Sequence, residues 1–335
     1  MTPPRWTLAL ENGELAWPEA GRVLVLRAQA EADFAALGPE RLVAVQGFAP
    51  AHKRLVARGL TVQMAPDYEH AAALVQIVKS KAESLSLVAE ALTHVPPGGL
   101  VAVDGQKDEG IESTLKAVKR HLPVDGVLSK SHGKLFWLTR PDTLPEAVTG
   151  WLATPEPNAD GFITSAGMFS PDGADQGSEL LVALVPQLAG RVADLGAGWG
   201  YMSAVLLEEQ DSIAALDLVE ADWAALEAAR RNVHDPRAAF HWADAESFAP
   251  EAPYDAIISN PPFHAGRAAD PALGQGFIVA AARMLKRSGQ FFMVANRHLP
   301  YEATLKAHFG TGTLLAEIAG YKLYQAGKPK GAPRG

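Results

Sequence analysis

The chain has no cysteine among its 335 residues, which excludes disulfides, thiolate metal sites and a cysteine nucleophile. It also lacks any apolar run approaching the roughly 20 residues that span a bilayer, and Met1-Thr2-Pro3-Pro4-Arg5-Trp6 opens no signal peptide. A cytoplasmic protein with no membrane segment is expected. Asparagine is scarce, at five residues, a depletion of thermolabile side chains that fits a heat-adapted source. The ten histidines are scattered without ligand-like spacing, so no metal is expected.

Apolar residues make up 48% of the chain and charged ones 20%, the balance of a soluble globular protein. The length exceeds what one core usually organises, so two domains are expected. The net charge of -8 at first argues against a polyanionic partner. Its distribution changes that reading: residues 1–150 hold 16 basic and 17 acidic side chains, and residues 151–335 hold 14 and 21. A surface for nucleic acid is more easily found in the first half.

Residues 21–140 alternate apolar strand-like runs (Arg22–Leu26, Arg41–Val45, Leu100–Val103) with helix-like segments at Tyr68–Lys81 and Ile111–His121. That alternation implies a mostly parallel sheet covered on both faces. The stretch 141–161, PDTLPEAVTGWLATPEPNADG, holds four prolines and reads as a linker. The rhythm then repeats, with strands at Arg191–Leu195, Ser212–Val219, Ala256–Ser259 and Gly289–Ala295 and helices at Tyr201–Gln210, Ala221–Val233 and Phe277–Leu285. Two α/β domains in tandem suggest duplication, although no residue-level repeat is visible. The expected division is 1–145 and 146–326, followed by a basic flexible tail at 327–335.

Two clusters carry chemistry. Asp194-Leu195-Gly196-Ala197-Gly198-Trp199-Gly200 joins a strand to a helix, where glycines let the backbone pass close to a ligand. Taken alone, such a turn could serve packing only. Glu220 ends the next strand just over twenty residues on, where a carboxylate can accept from ribose hydroxyls, and Asp244 follows a third strand-like run. A dinucleotide such as NAD fits the same outline, but the loop reads GxGxG, and Asp194 would face a pyrophosphate unfavourably. A sulfonium nucleoside with an amino acid tail suits that carboxylate better.

The second cluster is Ser259-Asn260-Pro261-Pro262-Phe263-His264, which ends the strand after Tyr254-Asp255. Two prolines forbid helix and ladder alike and stiffen the turn. A rigid loop with a core aromatic is one reading. The other is a clamp: the Asn260 side-chain oxygen and the Pro261 carbonyl accept from one planar NH2 group while Phe263 stacks on its ring. Two acceptors aimed at an exocyclic amine would restore part of its lone pair and direct it at an electrophilic methyl. His264 could take a proton, pack, or contact phosphate; Arg267, Arg297 and His298 are candidate substrate contacts or solvated surface.

Gly196-Ala197-Gly198, Glu220, Asp244 and Asn260-Pro261-Pro262-Phe263 together resemble the class I S-adenosylmethionine-dependent methyltransferases that act on planar nitrogens. Gly167-Met168-Phe169-Ser170, Asp175-Gln176-Gly177-Ser178 and Ser131-His132-Gly133-Lys134-Leu135-Phe136-Trp137 are similar to segments of the small-subunit ribosomal RNA guanine-N2 methyltransferases of the RsmC type. That resemblance implies two tandem Rossmann-like methyltransferase domains, the first degenerate and the second catalytic. It further implies that Asp194 and Gly196 line the methionine end of S-adenosylmethionine, that Glu220 holds the ribose, that Asp244 and Ala245 border the adenine, and that Gly198, Ala221 and Asn260 also bind the cofactor. Phe169, Asp175 and Gln176 would close over the cofactor, and Asn260, Pro261 and Phe263 would be catalytic. Many relatives carry Cys where Ala197 stands.

The first half has neither signature at its strand ends, Val45-Gln46-Gly47 and Val103-Asp104-Gly105. Lost cofactor binding is expected there, with a role in the fold or in RNA docking. Lys116, Lys119, Arg120, Lys130, His132 and Lys134 lie within about one strand–helix unit, enough for phosphate contacts or merely a solvated face. Substrate contacts are expected at Pro262, Phe263, His264, Arg267, Lys130 and Lys134. The expected partner is 16S ribosomal RNA or the small ribosomal subunit, met by a monomer. Adenine-N6 methylation, protein glutamine methylation and a non-catalytic ribosome-assembly RNA-binding role stay open as alternatives.

Overall fold

The computed structural model describes residues 3–67, 69–262 and 270–330. The chain divides into two compact units, one taking Met1–Thr154 with Ser165–Gly167, the other Pro155–Thr164 and everything from Met168 onward. Residues 146–154, expected in the second domain, thus group with the first.

In unit 1 the elements run α1 (Arg5–Glu11), β1 (Val23–Leu26), β2 (Leu42–Val45), α2 (Ala49–Ala57), β3 (Thr61–Gln63), β4 (Ala72–Gln76), α3 (Lys81–His94), β5 (Leu100–Gln106) and α4 (Ile111–Val118). The hairpin β6 (Gly126–Lys130) and β7 (Gly133–Thr139) follows, then α5 (Glu146–Thr149), whose Val148 is fully buried. The sheet order is β3-β2-β1-β4-β5-β7-β6, with β7 antiparallel to both its neighbours. Every residue of β1, β2 and β4 is buried, the signature of strands covered on both faces. Ser131 and His132 turn the hairpin, both with left-handed φ (50° and 56°), which matches the twist of a two-residue connection.

One expected helix is wrong. Within 68–81 the structure has strand β4, and α3 starts only at Lys81, where the Ser80 hydroxyl accepts from Glu83 N. A short apolar run such as Ala72-Ala73-Leu74-Val75 is compatible with either state, and its place between β1 and β5 decides it.

Unit 2 opens with a two-strand ribbon, β8 (Glu156–Pro157) and β9 (Ile163–Thr164). It continues with α6 (Gln176–Leu184), β10 (Gly190–Leu195), α7 (Tyr201–Glu209), β11 (Ile213–Glu220), α8 (Trp223–Asn232), β12 (Ala238–Trp242), β13 (Tyr254–Ser259), α9 (Pro271–Met284), β14 (Leu285–Asn296), α10 (Glu302–His308), β15 (Phe309–Ile318) and β16 (Tyr321–Pro329). The order β12-β11-β10-β13-β14-β16-β15 repeats that of unit 1, strand for strand. Residues 327–329, expected in a flexible tail, are paired in β16, and Lys330 N donates to His308 O at 2.8 Å.

Alternation along the strands of unit 2 supplies two cores. Ile257 and Phe291 pack on one face with Ile278 of α9, while Ile258 and Phe292 pack on the other with Leu181 of α6 and Leu206 of α7. Parallel pairing of β10 with β11 and β13 brings their carboxyl ends to one edge of the sheet. In an open α/β sheet that edge, where the order reverses, is where ligands bind.

Candidate active site

The loop from Leu195 to Tyr201 turns through three left-handed glycines, Gly196 (φ 75°), Gly198 (φ 56°) and Gly200 (φ 89°). They have different duties. A Cβ on Gly200 would press on Val233 and Ala229 at 3.0 and 3.2 Å, so this glycine lets α7 pack on α8. A Cβ on Gly198 would meet nothing within 4 Å and would project into open space. Only at Gly198 does the missing side chain leave room for something other than the protein.

Asp194, the penultimate residue of β10, is fully buried. Its Oδ2 accepts from the Ser203 hydroxyl at 2.8 Å, and its Oδ1 has no hydrogen-bond partner. Burial pushes the carboxyl up to about 7, a rise opposed by the Ser203 bond and reinforced by the Glu220 charge. Glu220 ends β11 with Oε2 accepting from Gly198 N and Oε1 from Asp222 N, each at 2.8 Å. Burial raises its pKa as well, against these backbone bonds. A carboxylate offers about four acceptor positions, so Glu220 keeps capacity for a ligand after holding the loop.

Within unit 2, a strap formed by residues 162–164 and 168–175 meets this loop. The Trp199 indole Nε1 donates to Phe169 O at 2.8 Å, and its ring lies 5.2 Å from that of Phe162 and 5.8 Å from that of Tyr201. Asn232 bonds both sides, donating to Trp199 O (2.8 Å) and Ile163 O (2.9 Å). The strap ends at Asp175, which caps α6 by accepting from Ser178 N at 3.1 Å. Asn260, just past β13, donates from Nδ2 to Asp175 Oδ2 and to Ser178 Oγ, both at 2.9 Å. Ser259 Oγ donates to Leu195 O at 2.7 Å and pins β13 to the glycine loop.

Phe169, Asp175, Gly196, Gly198 and Asn260 line one cavity of about 40 Å³. Asp194 and Glu220 are not on its walls, although Glu220 is bonded to the lining residue Gly198. Gln176, Ala221, Asp244, Ala245, Pro261 and Pro262 are not on its walls. Asp244 instead turns the chain after β12, accepting from Glu246 N at 3.0 Å, and Ala221 O accepts from the Trp242 indole at 2.9 Å. Phe263, His264 and Arg267 lie outside the described residues. Ser170, Ser178, Trp199 and Tyr201 join the lining without having been singled out as contacts. The volume suits a water better than a nucleoside, for which roughly 300 Å³ or more is usual.

At the same topological place unit 1 is different. Register pairs Leu26 with Val45 as it pairs Leu195 with Val219, so Arg27 stands where unit 2 has Gly196, and Gln46 where it has Glu220. Gln46 keeps the loop-holding bonds, accepting from Phe48 N and donating to Ala28 O, each at 2.9 Å. Arg27 is left-handed like Gly196 but pairs with Glu83. Away from that edge, Glu112, Leu115, Lys116, Lys119, Arg120 and Lys134 line a cleft of about 550 Å³. Lys134 Nζ is 3.6 Å from Glu112; Lys130, at the end of β6, is exposed and outside the cleft. Arg297 and His298 are exposed beyond β14. Among the described residues no acidic or histidine cluster could hold a metal ion, and no helix is long and apolar enough to cross a membrane.

Comparison with known proteins agrees with this layout. The family model "Methyltransferase small domain" matches residues 160–325. The Ribosomal RNA small subunit methyltransferase C of Shewanella oneidensis is 34% identical over 259 residues, 75% of each chain. That of Hahella chejuensis is 35% identical over 250 residues, 72% of each chain. Among solved structures, the T. thermophilus 16S rRNA N2 G1207 methyltransferase (RsmC), in complex with AdoMet and guanosine, superposes with a TM-score of 0.78 at 24% identity, over 94% of this chain and 90% of that one. Both domains of the fold are thus shared. With a third of its residues identical to those relatives over three quarters of its length, the chain belongs to the ribosomal RNA small subunit methyltransferase C family.

Proposed function

We propose that this methyltransferase takes a methyl group from S-adenosylmethionine and places it on the exocyclic N2 amine of a guanosine in small-subunit (16S) ribosomal RNA. The observation that carries the reading is that Asn260, just past β13, lines the same cavity as Gly196 and Gly198 of the glycine loop. An amine acceptor and a nucleoside-binding turn therefore share one space. The donor set also suits a cationic ribonucleoside: a buried, unpartnered Asp194 Oδ1 for positive charge, spare lone pairs on Glu220 for ribose hydroxyls, and an open side at Gly198.

When bound, S-adenosylmethionine supplies an electrophilic methyl on a sulfonium. The chain's own part is placement. A guanine unstacked from its helix would present its NH2 to Asn260 Oδ1 and Pro261 O, which hold the nitrogen lone pair toward the donor. No strong base is required, because the nitrogen becomes acidic as it is methylated. Phe263, and the contacts assigned to His264 and Arg267, complete the reading as stacking and substrate-binding residues, with Lys130 and Lys134 on the RNA backbone. The protein acts in the cytoplasm, as a monomer and without metal.

The test is methyl transfer from labelled cofactor to isolated 16S rRNA and to 30S subunits, with mass mapping of the product, beginning at the position named for the T. thermophilus enzyme. Asn260→Ala should abolish transfer while leaving cofactor affinity within about twofold. Label appearing only in protein, or normal transfer by Asn260→Ala, would refute the assignment.

A further inference from the structure

We propose that Asp175 and Ser178 are positioning residues that fix which way the Asn260 amide faces, so that its oxygen and not its NH2 is offered to the incoming amine. The inference rests on Asn260 acting as the amine acceptor in the reading above. A side-chain amide is two-faced: its terminal torsion is broad and nearly two-fold, so oxygen and nitrogen exchange places at little cost unless neighbours discriminate between them. At this site the choice decides the chemistry. An NH2 turned into the cavity would set donor against donor and repel an exocyclic amine.

The neighbours do discriminate. Both N–H groups of Asn260 are engaged, one by Asp175 Oδ2 and one by Ser178 Oγ, each at 2.9 Å. A carboxylate only accepts, so the Asn260 oxygen cannot take the nitrogen's place without setting lone pair against lone pair. The bond to a charged acceptor is also stronger than a neutral one. The two partners are themselves fixed by the first turn of α6, where Asp175 caps the helix through Ser178 N and Ser178 is buried. Gly177 sits between them under the Tyr321 ring, which a Cβ there would meet at 2.9 Å. The planar amide thus has Oδ1 as its one atom left to face a ligand, and Asn260 is on the cavity wall.

The experiment uses the full-length protein. Asp175→Asn is the informative variant, because Asn caps a helix about as well as Asp but its own amide can turn either face to Asn260. Expected is a roughly 10- to 100-fold fall in kcat on 30S subunits, with the S-adenosylmethionine Kd by calorimetry within about twofold. Ser178→Ala, which removes one partner and leaves the charged one, should fall less. In nitrogen-labelled protein the Asn260 side-chain amide should exchange its protons at least roughly tenfold more slowly in wild type than in Asp175→Asn, a readout that needs neither cofactor nor substrate. Equal exchange in the two proteins, or kcat within twofold of wild type, would overturn the proposal. So would a cofactor Kd that rises in step with the loss of kcat, which would place Asp175 at the cofactor. An inactive wild type that still shows the protected amide would sink the functional reading alone.

Discussion

Asp194 shows how much a single carboxyl can impose. Its folded pKa of about 7 stands above the ordinary 3.8, so between those values the native state keeps a proton that the unfolded chain has lost. By linkage, stability of the free protein falls as pH rises through that window, and the full cost is present above pH 7. A cation seated against the unpartnered Oδ1 reverses the balance. Affinity for S-adenosylmethionine should therefore tighten as pH rises toward 7, by up to about tenfold per unit, and level off above it. Calorimetry at pH 6 and 7.5 should show this slope in wild type and lose it in Asp194→Asn; an unchanged slope in the variant would place the titrating group elsewhere. The sequence displayed Asp194, Glu220 and Asn260 because each stands at or beside the end of a recognisable strand. It did not display what Asn260 touches, since Asp175 lies 85 residues away and only the topology joins them.

At the level of elements, α4 and the β6–β7 hairpin build the cleft in unit 1. Lys116, Lys119 and Arg120 recur at helical spacing and so share a face, which sequence could reveal. That Lys134 closes the other side depends on the hairpin pairing back against β5, and its partial neutralisation by Glu112, which Lys107 also approaches at 3.9 Å, was not legible at all. A triple variant, Lys116→Ala, Lys119→Ala and Lys134→Ala, should weaken 16S rRNA binding and flatten the salt dependence of log K by about 2–3 in slope, with cofactor affinity unchanged. An unaltered slope would mean that the cleft faces solvent during recognition. The parallel core strands were readable because burial on both faces leaves continuous apolar runs. Strand β4 was misread because such a run has no period to separate strand from helix.

Across the whole molecule, two seven-stranded sheets share one strand order, yet their ligand edges differ. Where unit 2 has Gly196 and Glu220, unit 1 has the Arg27–Glu83 pair and Gln46. The loop-holding half of the acidic residue's role survives as an amide, and the negative charge is gone. Titration should return one S-adenosylmethionine per chain, and Glu220→Gln, which installs the residue of unit 1, should weaken binding by roughly tenfold or more; a stoichiometry near two would show that the first edge still binds. One consequence follows from the Trp199–Phe169 tie over a cavity of about 40 Å³. Were that tie to open before a nucleoside-sized ligand enters, the observed association rate would approach a ceiling at high ligand concentration, whereas a rate rising in proportion to concentration would mean that the site admits its ligand as it stands.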